Sequence, residues 1–227
     1  MTNLNTLDTP TLLLDYQKLI KNINQVASFA KEQGISYRPH IKTHKSVKIA
    51  QLQIQAGAVG VTTAKISEAE VMVAGGIRDI LIAYPISSPA KINRLVKLLH
   101  QGVQLKVSVD STESLWHLQK GLEHTPYSLE VWIKVNSGLN RCGVEPGPEV
   151  VRLAKEIMTH SKLKLGGIYT HAGHSYATKT AAEIEAIGVQ EGQAVVESAN
   201  DCEVAGIPIP VRSVGSTPTY KIEGKVL

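Results

Sequence analysis

Between His40 and Lys48 the chain places three lysines, Lys42, Lys45 and Lys48, and two histidines, His40 and His44. A basic run is ordinarily a solvated loop. This one follows an amphipathic stretch and reads as a strand ending in a polar turn, and the carboxyl ends of strands are where α/β folds keep their chemistry. On an alternating backbone His40 and Lys42 face the same side. A lysine crowded by other cations releases its proton more easily, which suits it to Schiff-base formation.

Three further stretches could join it. Asn136-Ser137-Gly138-Leu139-Asn140-Arg141-Cys142-Gly143-Val144 follows a strand. It is either a βα loop with turn glycines or a device that projects Arg141 over the mouth of the fold; Cys142 reads as a packing residue rather than a nucleophile. Tyr169-Thr170-His171-Ala172-Gly173-His174-Ser175-Tyr176 closes the next strand. One histidine alone is more often a satisfied core residue and two ligands make no metal site, but a pair at a strand end points to function. Ser213-Val214-Gly215-Ser216-Thr217-Pro218-Thr219 has the composition of an ordinary turn. After a late strand it also suits a nest of backbone N–H groups for a phosphate. Asp110 and Glu68 stand at or just past strand ends, where an acid is usually a helix cap.

Arg38-Pro39-His40-Ile41-Lys42-Thr43-His44-Lys45 resembles the pyridoxal-phosphate site of the D-threonine aldolase and D-serine dehydratase family, which has the alanine-racemase type of fold. The resemblance implies that Lys42 carries pyridoxal 5'-phosphate, with His40 beside it and Lys45 only a neighbour. The segment around Arg141 is similar to the family's Gly-x-x-Arg-x-Gly, which implies Arg141 on the cofactor's phenolate side. The resemblance further implies His171 beside the ring, Tyr176 near it, and Gly215, Ser216 and Thr217 at the phosphate. His171-Ala172-Gly173-His174-Ser175-Tyr176 is similar to the D-serine dehydratase branch and favours it over the aldolase. The family's divalent metal, Zn or Mn, is held by a His-x-Cys or His-x-Asp pair, and neither occurs in this sequence. The metal is therefore expected in full-length members, through residues absent here.

The elements that must hold these residues alternate. Residues 12–15 read as a short buried strand and residues 16–33 as a helix closed by Gly34. Strand signals follow at 59–63, 80–84, 105–109, 129–135, 165–170 and 211–214, with helices at about 46–56, 67–74, 89–100, 111–120, 149–160 and 178–200. From Arg38 onward this makes seven β/α units, and strict alternation implies a parallel sheet. The expected fold is an α/β barrel of the TIM type, (β/α)8, with a flavodoxin-like open sheet as the alternative. It is expected to be incomplete, because an eighth strand would have to come from the short polar tail at 220–227. The family's C-terminal β-domain is expected to be missing. Residues 1–15 would then be the strand that pairs with that domain, and residues 16–227 the cofactor-binding barrel.

The 227 residues are 43% hydrophobic, ample for one large α/β domain. Only 4% are aromatic, which argues against stacking platforms for single-stranded nucleic acid, and a net charge of +4 spread along the chain is no nucleic-acid footprint. Two cysteines make no disulfide framework, the polar start lacks an apolar signal core, and no apolar run is long enough to span a membrane. The expected protein is cytoplasmic, a homodimer at full length, with a small D-amino acid as partner and neither nucleic acid nor membrane. The expected activity is a pyridoxal-phosphate-dependent lyase acting on a β-hydroxy D-amino acid through a Lys42 Schiff base. The alternatives are an amino-acid racemase on the same fold and a truncated, non-catalytic cofactor-binding fragment.

Overall fold

The computed structural model describes residues 4–227. Six strands carry it: β1 (Val61–Thr63), β2 (Asp79–Ile82), β3 (Gln104–Val109), β4 (Leu129–Lys134), β5 (Leu163–Tyr169) and β6 (Arg212–Ser213). All neighbours are parallel, and the spatial order is the sequence order. The helices are α1 (Tyr16–Glu32), α2 (Val47–Gln55), α3 (Ile66–Ala74), α4 (Pro89–His100), α5 (Thr112–Leu122), α6 (Pro148–Thr159), α7 (Ala181–Val204) and α8 (Tyr220–Glu223). One of α3 to α7 fills each connection between successive strands. A sequential parallel order repeats the same crossover at each step and curls the sheet one way, as in a TIM barrel; a flavodoxin-like sheet would reverse at a switch point. The fold is an incomplete barrel of this type. No helix among the described residues is long and apolar enough to cross a membrane.

Side chains alternate across the strands. Outward, Ile80, Ile82, Val107, Val131, Ile133 and Ile168 pack with α4, α5 and α6 residues such as Leu95, Leu115 and Leu153 into one continuous aliphatic core. Inward, Leu81, Trp132 and Tyr169 form a separate small cluster, and the other inward positions are polar. Helix starts are fixed locally. Ser46 and Ser111 cap α2 and α5, and Thr180 with Glu183 forms a capping box on α7.

Two expectations require correction. The strand that was to bear Lys42 is only partly a strand. Residues 37–40 run beside β1, with the Val59 and Thr62 N–H groups donating to the Tyr37 and Pro39 carbonyls at 3.1 and 2.8 Å. His40 and Thr62 form a lone parallel bridge. Pro39 has no N–H to continue a ladder, and the chain tightens into a 3-10 turn, Ile41–Thr43. Lys42 therefore sits on a turn, and six strands plus this bridged segment stand where seven strands were expected. The second correction concerns residues 12–15, which form no strand; Leu12 is 100% exposed. An extended segment needs a neighbour to make a ladder, and none runs beside it among the described residues. Residues 1–3 of the expected 1–15 strand lie outside those described. As expected of an incomplete barrel, the tail at 220–227 adds no strand: it folds back as α8 and a following turn, its N–H groups finding local carbonyls such as Thr219 O for Ile222 and Glu223.

Candidate active site

The turn that carries Lys42 is anchored on every side. Ile41 is fully buried beneath it. His40 Nδ1 accepts the Lys42 backbone N–H at 3.2 Å, which leaves the ring proton on Nε2. Burial, then the Lys42 charge, brings His40 down to about 4, so it is neutral at pH 7. Lys45 takes a left-handed φ of 50° and its ammonium lies 3.2 Å from Glu68. Glu68 also accepts the Ala64 N–H at 2.8 Å at the start of α3. It is thus the helix-end acid that its position implied, and a tether for the Lys42 turn as well. Lys42 makes no ion pair among the described residues.

Strand β4 delivers a second lysine that motif reading passed over. Glu130, Trp132 and Lys134 alternate inward, and Lys134, 5% exposed, ends the strand inside the mouth. Its Nζ lies 4.3 Å from the centroid of the Tyr169 ring, and no carboxylate pairs with it among the described residues. Burial, with the Arg141 and Lys42 charges adding to it, brings its ammonium down to about 8. Tyr169 donates its hydroxyl to Ser108 Oγ at 2.7 Å, and burial pushes its pKa up.

The loop at 136–144 is built on Asn136. Its Oδ1 accepts the Gly138 and Asn140 N–H groups at 3.2 and 3.0 Å, and Val144 pairs back with Val135. Gly143, at φ 107°, passes so close that a Cβ would stand 2.9 Å from the Asn136 nitrogen. Asp110, expected as a cap, accepts the Gly143 N–H at 3.3 Å instead. Arg141 and Cys142 are thereby held in one concavity with Lys134, Asn136 and His171. Cys142 lines the site instead of packing in the core.

After β5, His171 Nδ1 lies 2.6 Å from the Gly215 carbonyl, which can only accept. Nδ1 therefore carries the proton, and Nε2 is left as an acceptor. Burial lowers His171, with the nearby Lys134, Lys42 and Arg141 charges acting the same way. His174 Nδ1 is buried without a hydrogen-bond partner among the described residues. Tyr176 is 62% exposed, at the rim, where its hydroxyl accepts the Thr217 N–H at 3.3 Å.

The loop at 215–219 faces these groups. A Cβ on Gly215 would meet nothing within 4 Å, so open space lies above its backbone. The Ser216 N–H is committed to Glu223 Oε1 at 3.0 Å. The structure thus brings Lys42, His40, Arg141, His171 and Gly215 around one mouth and sets Ser216, Thr217 and Tyr176 in the loop at its edge.

The sequence model described as "Alanine racemase, N-terminal domain" matches residues 14–223. The chain belongs to that family. Like it in sequence is the D-threo-3-hydroxyaspartate dehydratase of Delftia sp. (strain HT23), 36% identical over 94% of this chain and 56% of that protein. The 3-hydroxy-D-aspartate aldolase of Paracoccus denitrificans (strain Pd 1222) is 33% identical over 96% of this chain and 56% of that protein. The crystal structure of D-threonine aldolase from Filomicrobium marinum superposes with a TM-score of 0.94 at 30% identity, covering 98% of this chain and 60% of that one. The chain thus spans a little over half the length of the curated relatives it matches.

The donor set of this chain fits a phosphorylated aldehyde. An unpaired amine, a buried cation lacking a carboxylate, an arginine and an open glycine backbone converge, and each is a group that an anionic carbonyl compound would satisfy. For a metal the fit fails: among the described residues no three His, Cys, Asp or Glu side chains gather to hold an ion.

Proposed function

We propose that this chain is the cofactor-binding barrel of a pyridoxal-phosphate-dependent lyase for β-hydroxy D-amino acids, with Lys42 as the residue that carries the cofactor. The observation behind this reading is the convergence of Lys42 with the unpaired Lys134 and two neutral histidines at the carboxyl ends of the strands. The cofactor supplies a ring that draws electrons from the amino acid's Cα. Lys42 would be the residue that holds the aldehyde, its Nζ condensing with the carbonyl as water leaves, and once the substrate's own amine had displaced it the freed Nζ would be the base for the α-proton. Its turn, tethered by Glu68 through Lys45, holds that amine in one place. Arg141 stands ready for the phenolate oxygen, and His171 presents an unprotonated Nε2 to the ring side. Lys134 keeps the mouth positive, which draws in an anionic cofactor and an amino-acid carboxylate. Gly215, Ser216 and Thr217 hold the phosphate edge.

The relatives' names divide between dehydratases and aldolases. The histidine segment at 171–176 favours the dehydratase branch, and D-serine, D-threonine and D-3-hydroxyaspartate are the substrates to test. The reading extends to a longer, cytoplasmic, homodimeric protein in which residues 1–15, exposed at Leu12, Leu13 and Leu14, pair with a β-domain that also supplies the Zn or Mn ligands. Residues 16–227 are the cofactor barrel.

The test is an absorption spectrum of the chain with pyridoxal phosphate beside Lys42→Ala, followed by each D-amino acid with Zn or Mn. A band that needs Lys42 supports the cofactor reading, and keto-acid or aldehyde release identifies the branch. A folded chain with the same spectrum as Lys42→Ala refutes it.

A further inference from the structure

The end of the chain buries two carboxyl groups under the 215–219 loop. Glu191 on α7 and Glu223 on α8 are 0% and 1% exposed. Packing leaves them no way out. A Cβ on Gly188 would stand 3.0 Å from the Ile222 side chain, and one on Gly192 would stand 2.7 Å from that of Val226. The α8 segment therefore sits directly on the α7 backbone. Glu191 lies between those glycines and meets Glu223, and neither Glu191 oxygen has a hydrogen-bond partner of normal geometry.

Glu223 holds the loop. Its Oε1 accepts the Ser216 N–H at 3.0 Å and its Oε2 lies 2.7 Å from Thr219 Oγ1. From there a line of hydroxyls runs inward: Thr219 Oγ1 to Ser216 Oγ at 2.6 Å, Ser216 Oγ to Ser175 Oγ at 2.9 Å, and Ser175 Oγ to the Ala172 carbonyl at 2.6 Å. Counted from the carboxylate, these are four contacts. Each needs one hydrogen, and the three hydroxyls supply three. Thr219 donates to Glu223 Oε2 and Ser175 donates to Ala172 O, so the Ser216 hydrogen serves one of the two inner contacts.

We propose that Glu191 keeps its proton at neutral pH beside the Glu223 carboxyl group, and that the two together act as the positioning residues of the 215–219 loop. The link to a phosphate rests on the functional reading above; the proton and the loop do not. One proton on the pair also spares the loop a second negative charge beneath the place where a phosphate would sit. Burial, with Glu223 adding to it, pushes Glu191 up to about 9. The other charged group acting on Glu191 is Lys134 of β4, and the Ala172 backbone N–H faces it from the 171–177 segment. A carboxyl raised in the folded state keeps a proton that the unfolded chain has lost. Its contribution is therefore present at low pH and is lost as pH rises from the ordinary carboxylate range through about 9.

The experiment compares the full chain with Glu191→Gln and Glu223→Ala. Its readouts are hydrogen exchange at the Ser216 amide, melting temperature between pH 6 and 9, and dissociation constants for pyridoxal phosphate and for pyridoxal. Glu191→Gln, a neutral donor of the same shape, should keep Ser216 protected and flatten the fall of melting temperature with pH. Glu223→Ala should speed Ser216 exchange about tenfold or more while β4 amides stay protected. It should also shrink the advantage of pyridoxal phosphate over pyridoxal by about the same factor. Should Glu223→Ala fail to fold, Glu223→Gln is read the same way at Ser216. Unchanged Ser216 protection without Glu223, or equal pH slopes in the wild type and Glu191→Gln, overturns the proposal. If the wild type shows no Lys42-dependent binding, the functional reading falls, and exchange and melting still decide the pair.

Discussion

The interior of the barrel holds two layers of buried charge. Near the amino ends of the strands, Asp79 accepts from Arg38 at 2.6 Å and from Lys106 at 2.7 Å, and Glu130 accepts the Trp132 indole N–H at 2.6 Å. Asp79 is paired with two cations and Glu130 is hydrogen-bonded. Near the carboxyl ends, Lys134 faces an aromatic ring and forms no ion pair among the described residues, and burial lowers His40 and His171. Burying charge is tolerable when it is paired and unfavourable when it is not. The same strands thus pass from a layer that completes itself to a layer that waits for an anion. That difference, more than any single motif, separates scaffold from site.

Removing a partner from the lower layer should have the largest effect. Asp79→Ala strands Arg38 and Lys106 together, and chemical denaturation should show a loss of about 3–5 kcal/mol. The opposite sign is expected above. Lys134→Met removes a buried unpaired cation, so the chain without cofactor should gain about 1–3 kcal/mol below pH 8 while its affinity for pyridoxal phosphate falls. The gain should vanish above pH 10.5, the ordinary lysine value, where the unfolded chain is neutral as well. A loss of stability would mean that Lys134 is paired in a way that removes the contrast between layers. The third test is pH. His40 resists protonation down to about 4, whereas an unfolded histidine takes its proton near 6.5. Stability should therefore drop by about 3 kcal/mol as pH falls across that window, and His40→Gln should show a shallower fall. The control lies outside both layers. The surface Arg94–Glu70 pair should leave the denaturation midpoint nearly unchanged when Arg94 becomes Ala.

The regular fold was legible because its signals are local. Alternating or 3.6-spaced apolar residues marked the strands and helices, and Gly34, Gly57 and Gly76 take the positive φ that ends α1, α2 and α3. The errors share a cause. Residues 12–14 read as buried only if something covers them, and a sequence does not show its neighbours. Lys42 was placed on a strand although Pro39 already forbade the ladder from continuing. Arg141, His171 and Gly215 could be found by motif. Lys134 could not, since it stands among Val131, Trp132, Ile133 and Val135 as one charge in an apolar run. Its signal was the strand alternation that turns it inward with Trp132. Glu191 and Glu223 lie 32 positions apart, and only the contact of α7 with α8 joins them.

Because each strand pairs with the one just before it in the chain, a nascent polypeptide leaving the ribosome can add its β/α units one at a time without waiting for distant segments. The mouth does not share that schedule. Lys42 is made early, Lys134 and Arg141 midway, and the 215–219 loop last, and His171 reaches Gly215 only after the long α7 has been laid down. A growing chain can therefore be folded through β5 and still lack the 215–219 side of this mouth until α7 and the loop beyond it have emerged.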